Sequence, residues 1–75
     1  MVLEILRKLL IDRVGCEAED VEMAASLDDL NVTEDERIEL AMILWEMFVS
    51  EPMPEEFPAW ELVEDLVGYI EDRMG

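Results

Sequence analysis

The chain has 75 residues, of which 21 are acidic and 5 are basic, and its formal net charge is -16 with no histidine. Such a charge would be repelled by a phosphate backbone or an anionic membrane surface, so the composition excludes binding to nucleic acid or to membranes. Without histidine there is no Ser–His or Cys–His nucleophile pair and no imidazole ligand for a metal. Hydrophobic residues make up 52% of the chain, which favours one folded domain over residues 1–75.

The lone cysteine and the first residues indicate where the protein works. Cys16 has no partner for an internal disulfide, which is typical of a reducing compartment. The chain begins without the basic start and long apolar run of a signal peptide, and no segment reaches membrane-spanning length. We therefore expect a cytoplasmic protein, and the strong self-repulsion predicts a monomer.

The apolar spacing predicts a first helix over Val2–Val14. Leucine, isoleucine and valine recur at intervals of three and four residues, which places them on one helical face. Gly15 follows at once, where a left-handed residue commonly ends a helix. Residues 15–33 then lack any sustained period and are predicted to form a long loop.

A second helix is predicted from residue 34 to about residue 50. Thr33 and Glu36 form a capping box, in which each side chain accepts a hydrogen bond from the other residue's backbone amide. Pro52 and Pro54 end this helix because proline lacks the amide donor.

A last helix is predicted from Pro58 to about Arg73, since proline suits the first helical position. Between Pro54 and Pro58 there is room for one short turn only. The fold class is therefore all-α, a small bundle of three main helices with a short fourth turn and a long loop between the first two helices.

Metal binding and catalysis have weak support in the residue pattern. A twelve-residue calcium loop starting at Asp29 would carry Glu34 where glycine is needed and Leu40 where a bidentate glutamate is needed. So many carboxylates guarantee close pairs, so a pair by itself says little about acid–base chemistry. We expect no metal site and no enzymatic activity.

The second helix carries two apolar stripes instead of one. The first holds Leu40 and Leu44 with either Met47 or Phe48, and a core needs one such stripe. The second, about one-third of a turn away, is formed by Ile38, Met42, Trp45 and Val49. Either both stripes are buried, or the second is a docking face with an acidic rim formed by Glu39 and Glu46.

The ordered pattern of the whole chain resembles the acyl carrier protein family. The matching pieces are VGC at 14–16, SLDDL at 26–30, IEL at 38–40, EMF at 46–48, MPEE at 53–56 and LVEDLVGYI at 62–70. Family members carry a phosphopantetheine arm on a serine at the start of the second helix, and that helix recognises basic partner enzymes. The resemblance implies an origin in fatty acid or polyketide biosynthesis.

The central motif of that family is missing. Aligned without gaps on both flanks, the family's glycine falls on Asn31, its aspartate on Thr33 and its serine on Glu34, followed by Asp35 at the leucine position. A carboxylate cannot form the phosphodiester that a serine hydroxyl forms, so no cofactor is expected. Phosphopantetheine would be carried only if Thr33, the one adjacent hydroxyl, were modified.

The resulting expectation is a non-catalytic, acidic interaction domain that binds a basic-surfaced protein, for which a biosynthetic enzyme is one candidate. Two alternatives stay open: a working acyl or peptidyl carrier modified at Thr33, or an acidic inhibitor or immunity-type protein that binds a basic enzyme. The expected partner-binding residues are Glu34, Asp35, Ile38, Glu39, Met42, Trp45 and Glu46.

Overall fold

A computed structural model describes residues 1–74 and confirms the all-α fold. The helices are α1 (Val2–Val14), α2 (Glu34–Phe48) and α3 (Val63–Arg73). The described residues also contain one 3-10 turn and no β-strand, and residues 15–33 form the long connection between α1 and α2. The turn is Ala18–Asp20, so the short fourth element lies in this connection, whereas residues 49–62 contain no helical residue.

α1 has the predicted boundaries and the predicted end. Val2, Leu6 and Leu10 are fully buried on its inner face. Gly15 adopts the left-handed conformation with φ 86°, and its amide donates to the carbonyl oxygens of Leu10 at 3.1 Å and Ile11 at 3.2 Å. These hydrogen bonds satisfy carbonyls that the end of a helix would otherwise leave unpaired.

α2 starts at Glu34, as the sequence predicts, but only one of the two hydrogen bonds of the capping box is formed. Thr33 Oγ1 accepts from the Glu36 amide at 3.2 Å, while the Glu36 carboxylate binds Arg13 Nε of α1 at 2.7 Å and does not return to the Thr33 amide. The helix ends at Phe48, two residues earlier than expected. Val49 is extended, with φ -115° and ψ 134°, and its side chain is buried in the core.

α3 begins at Val63 and not at Pro58, so the expected start was five residues too early. Residues 58–61 have no regular structure, and Leu62 is extended and pairs with Ser26 of the α1–α2 connection in an antiparallel bridge. The Asp65 carboxylate then accepts from the Leu62 amide at 2.9 Å and caps the new helix. The helix therefore begins after the contact between these distant segments and not at the proline.

The core lies between the three helices and is closed by the two connecting segments. Every buried side-chain nitrogen and oxygen of the described residues has a hydrogen-bond partner. The buried apolar residues are Val2, Leu6, Leu10, Val21, Leu27, Val32, Leu40, Ala41, Leu44, Trp45, Val49, Trp60, Val63, Leu66, Val67 and Ile70.

Two glycines give a matched test of how the helices end and continue. At both Gly15 and Gly68 an added Cβ would meet no atom within 4 Å, so only the backbone decides the effect. Gly15→Ala is expected to lower the free energy of unfolding by about 1 kcal/mol because φ 86° strains an alanine. Gly68→Ala, inside α3, is expected to raise it by up to about 1 kcal/mol through helix propensity. Urea denaturation measures both, and shifts of the same sign would contradict this account.

Candidate functional site

One ridge of α2 faces outward along its whole length. Glu34, Ile38, Met42 and Glu46 are spaced four residues apart and therefore lie one above the other on the helix surface. Ile38 and Met42 are each 43% exposed, and the two glutamates at the ends are exposed as well. We call these four residues the α2 row, an apolar centre between two carboxylates.

Trp45 was wrongly expected on this face. It is only 4% exposed, and its indole Nε1 donates to the Glu51 carbonyl oxygen at 2.8 Å. A side chain this large reaches the core from a position at the edge of the buried face, and its N–H finds a partner there, as a buried indole requires. The second apolar stripe is therefore split: Trp45 and Val49 are buried, while Ile38 and Met42 stay at the surface.

The other residues of α2 that were expected to bind a partner differ in their contacts. Asp35 is exposed at the start of the helix. Glu39 is exposed too, but its carboxylate receives Arg13 Nη2 at 2.9 Å, next to the bond between Arg13 Nε and Glu36. The hydrogen bond to Glu36 is the main cause that raises the pKa of Arg13. Arg13 thus offsets the charge on the α1 side of α2 and leaves the α2 row acidic.

A second wall, residues 53–60, stands beside the α2 row. Between the two lies a cavity of about 330 Å³ bounded by Ile38 and Met42 on one side and by residues 53–57 on the other. A second cavity of about 180 Å³ continues it towards Glu34 and is lined by residues 57–60. The two cavities share Ile38 and Phe57 in their lining, and we call them together the acidic groove, because Glu55 and Glu56 on the second wall are exposed like the glutamates of the α2 row.

Four aromatic rings anchor the second wall. The ring of Phe57 lies 6.1 Å from that of Trp45, 5.8 Å from that of Trp60 and 5.8 Å from that of Tyr69. The pairs with Trp45 and Tyr69 are edge-to-face, an arrangement that aromatic quadrupoles favour. This cluster joins α2, the second wall and α3, so the wall keeps its place although it has no helix of its own.

Arg37 is the buried cation beneath the groove. Arg37 is 9% exposed, and its guanidinium donates to the carbonyl oxygens of Val32 at 3.0 Å and Trp60 at 2.8 Å. It also forms an ion pair with Asp28, whose own side chain is 83% exposed. One planar side chain therefore ties α2 to the α1–α2 connection and to the second wall.

The position that corresponds to the carrier-protein serine is open to solvent. Glu34 is the first residue of α2, and the adjacent Thr33 is exposed while its hydroxyl caps the helix. Asn31, at the glycine position of that pattern, has φ 63°, a left-handed conformation that glycine adopts most easily. Ser26 Oγ accepts from the Asp29 amide at 3.3 Å and thus has a structural role.

The remaining reactive groups form no recognisable centre. Burial raises the pKa of the Cys16 thiol, whose Sγ lies 3.6 Å from the Leu30 carbonyl oxygen, so the reactive thiolate is disfavoured. Over residues 1–74, no three acidic or thiol side chains converge so as to hold a metal ion. No helix of that range is long and apolar enough to cross a membrane.

Comparisons with protein-family models and with solved structures gave no match to this chain. The likeness to acyl carrier proteins therefore depends on the residue pattern alone.

Sequence reasoning missed the two parts of the site that depend on tertiary contacts. The signal for Arg37 was present, because it is the only basic residue between residues 14 and 72 and lies next to the apolar stripes of α2. The signal for the second wall was partial: Met53, Phe57 and Trp60 add apolar side chains near the start of the predicted last helix, but nothing in the sequence predicts that they stand beside α2.

Stability measurements can test the division between surface and core on α2. Ile38→Ala and Met42→Ala are expected to change the free energy of unfolding by less than about 1 kcal/mol, since both side chains are largely at the surface. Trp45→Ala is expected to cost about 3–5 kcal/mol because it leaves a cavity in the core. Equal costs at the three positions, measured by urea denaturation, would show that the α2 row is not a free surface.

Proposed function

We propose that this protein is a non-catalytic interaction module of the cytoplasm, similar to an acyl carrier protein but without its prosthetic arm. The α2 row carries the proposal: two exposed aliphatic side chains lie between carboxylates on a chain of net charge -16. An apolar centre with a charged rim is the usual composition of a protein-docking surface.

The partner is a protein with a basic surface. Opposite charges accelerate encounter and set orientation, while the apolar centre contributes the burial that holds the complex. Because the rim is exposed, association should weaken strongly as salt rises. Among the expected partner-binding residues, Glu34, Asp35, Ile38, Met42 and Glu46 lie at the surface with no cation paired to them in the described contacts.

Glu34 explains how a carrier-like surface could work without the arm. It places a negative charge at the positive end of the α2 dipole, roughly where carrier proteins hold the phosphate of the arm. Part of the electrostatic pattern that a basic enzyme recognises would therefore persist. The left-handed Asn31 and the hydrogen-bonded Ser26 support the same lineage, since both suit the loop expected before the attachment site.

A second candidate is a working carrier that is modified at Thr33. The exposed hydroxyl of Thr33 directly precedes Glu34, which favours this alternative over modification at the distant Ser50. Modification would compete with the helix cap, because the same oxygen accepts the Glu36 amide. An acidic inhibitor of a basic enzyme would use the same surface, and its partner would then be a nuclease or toxin and not a synthase.

Loading with phosphopantetheine separates the first two candidates. We expect the intact mass of the protein to stay unchanged after incubation with coenzyme A and a broad-specificity phosphopantetheinyl transferase, because Glu34 cannot form the phosphodiester. The matched variant combines Thr33→Asp, Glu34→Ser and Asp35→Leu and rebuilds the carrier motif in place. It is expected to gain the mass of the arm.

Each unexpected outcome has a distinct meaning. An arm on the native protein, mapped to Thr33, would contradict the unloaded module and support the working carrier. A rebuilt variant that folds, as judged by circular dichroism, and still takes no arm would count against the carrier lineage.

A further inference from the structure

Resting on the proposed function, we propose that the acidic groove binds a cationic amphipathic helix of the partner protein. The groove lies between two walls, the α2 row and residues 53–60, and its apolar lining includes Ile38, Met42 and Phe57. The second wall was not among the expected partner-binding residues. With this second wall included, the proposed contact surface is a two-sided cleft and not a single helical face.

The dimensions of the groove fit a helix of about three turns. From Glu34 to Glu46 the α2 axis advances about 18 Å at 1.5 Å per residue. The two apolar side chains, Ile38 and Met42, occupy its middle, and a further recess of about 220 Å³ beside Met42 extends it towards Glu39 and Glu46. A partner helix with two aliphatic residues four positions apart would place both of them against Ile38 and Met42.

A helix suits the groove better than an extended peptide. The backbone groups of α2 are bonded within that helix, so they offer no ladder to an added strand. An extended peptide would bury unpaired amides against Ile38 and Met42, which is costly. A helix brings its own satisfied backbone into the apolar centre.

The charges define the rest of the ligand. Glu34 and Glu46 close the ends of the α2 row, while Glu55 and Glu56 lie on the opposite wall, and all four are exposed. Among residues 1–74, the one cation that lines the groove is Arg37, whose guanidinium is already engaged with Asp28 and two backbone carbonyls. Lysine or arginine in the turns that flank the two aliphatic residues would therefore meet carboxylates on both sides.

The test uses the whole protein and a synthetic probe. The probe is an acetylated, amidated peptide of about 14 residues with two leucines four positions apart, lysine and arginine in the flanking turns, and alanine elsewhere, long enough to span about three helical turns. Amide chemical shifts of ¹⁵N-labelled protein are expected to move at Ile38, Met42 and residues 53–57 when the peptide binds at low salt. A scrambled peptide of identical composition, with the leucines on opposite faces, is expected to bind at least about fivefold more weakly.

Charge reversal isolates the second wall. The double variant Glu55→Lys/Glu56→Lys is expected to weaken binding by about tenfold or more. Its matched control, Glu17→Lys/Glu19→Lys, makes the same change in net charge in the α1–α2 connection, away from the groove, and is expected to cost about twofold. Both pairs are exposed, so neither should affect folding.

Three outcomes would contradict the binding of a partner helix in the acidic groove, and none of them would by itself contradict the proposed function. If both double variants weaken binding equally while Ile38→Ala/Met42→Ala also weakens it, the α2 row docks the partner alone and the second wall has no part. If the scrambled peptide binds equally well, the attraction is only electrostatic. If no peptide binds, no helix occupies the groove, and the mass assay above still decides the carrier lineage independently.

Discussion

Arg37 is the constraint on which the arrangement of this molecule depends. A chain with so few cations uses one of them inside the fold, where the guanidinium bonds the carbonyls of Val32 and Trp60 and pairs with Asp28. Each partner belongs to a segment without regular structure, so a single side chain of α2 holds both connecting segments. A buried guanidinium is costly unless it is paired and hydrogen-bonded, and here each of its three nitrogens has a partner.

The surface proposed to bind a partner follows from this internal contact. Because Arg37 holds Trp60, and Phe57 packs against Trp60, residues 53–60 stand beside α2 at a fixed place. Ile38 and Met42 then have an opposite wall and form a groove in place of two isolated exposed side chains. In the described residues 1–74 the acidic side chains lie at or near the surface, while the buried guanidinium of Arg37 is paired with Asp28. One side of α2 therefore packs in the core, while its other side carries exposed acidic residues.

Local signals predicted the parts of the fold that local physics controls. The end of α1 at Gly15 and the start of α2 after Thr33 needed only a left-handed glycine and a capping side chain. The start of α3 could not be found in this way, because Pro58 suits the start of a helix while Leu62 pairs with the distant Ser26 just before the helix begins. Trp45 lies at the edge of the buried face, where periodicity alone does not decide between core and surface. The lone position of Arg37 beside the apolar stripes is visible in the sequence, but its bond to the carbonyl of Trp60, 23 residues away, is not, so its role could not be predicted.

Amide hydrogen exchange of Arg37→Met tests this account most directly, with the exposed Lys8→Met as a control for the same loss of charge. We predict that the amides of Val32 and Val63 lose about 2–3 kcal/mol of protection in Arg37→Met, since two buried carbonyls lose a charged donor. Val32 donates to Leu27 within the α1–α2 connection, and Val63 donates to Ala25 and so joins that connection to the start of α3. The amide of Leu10 in α1 should lose clearly less, and Lys8→Met should change none of the three. Equal loss at all three amides, or no loss relative to Lys8→Met, would contradict the claim that Arg37 holds the two segments in place.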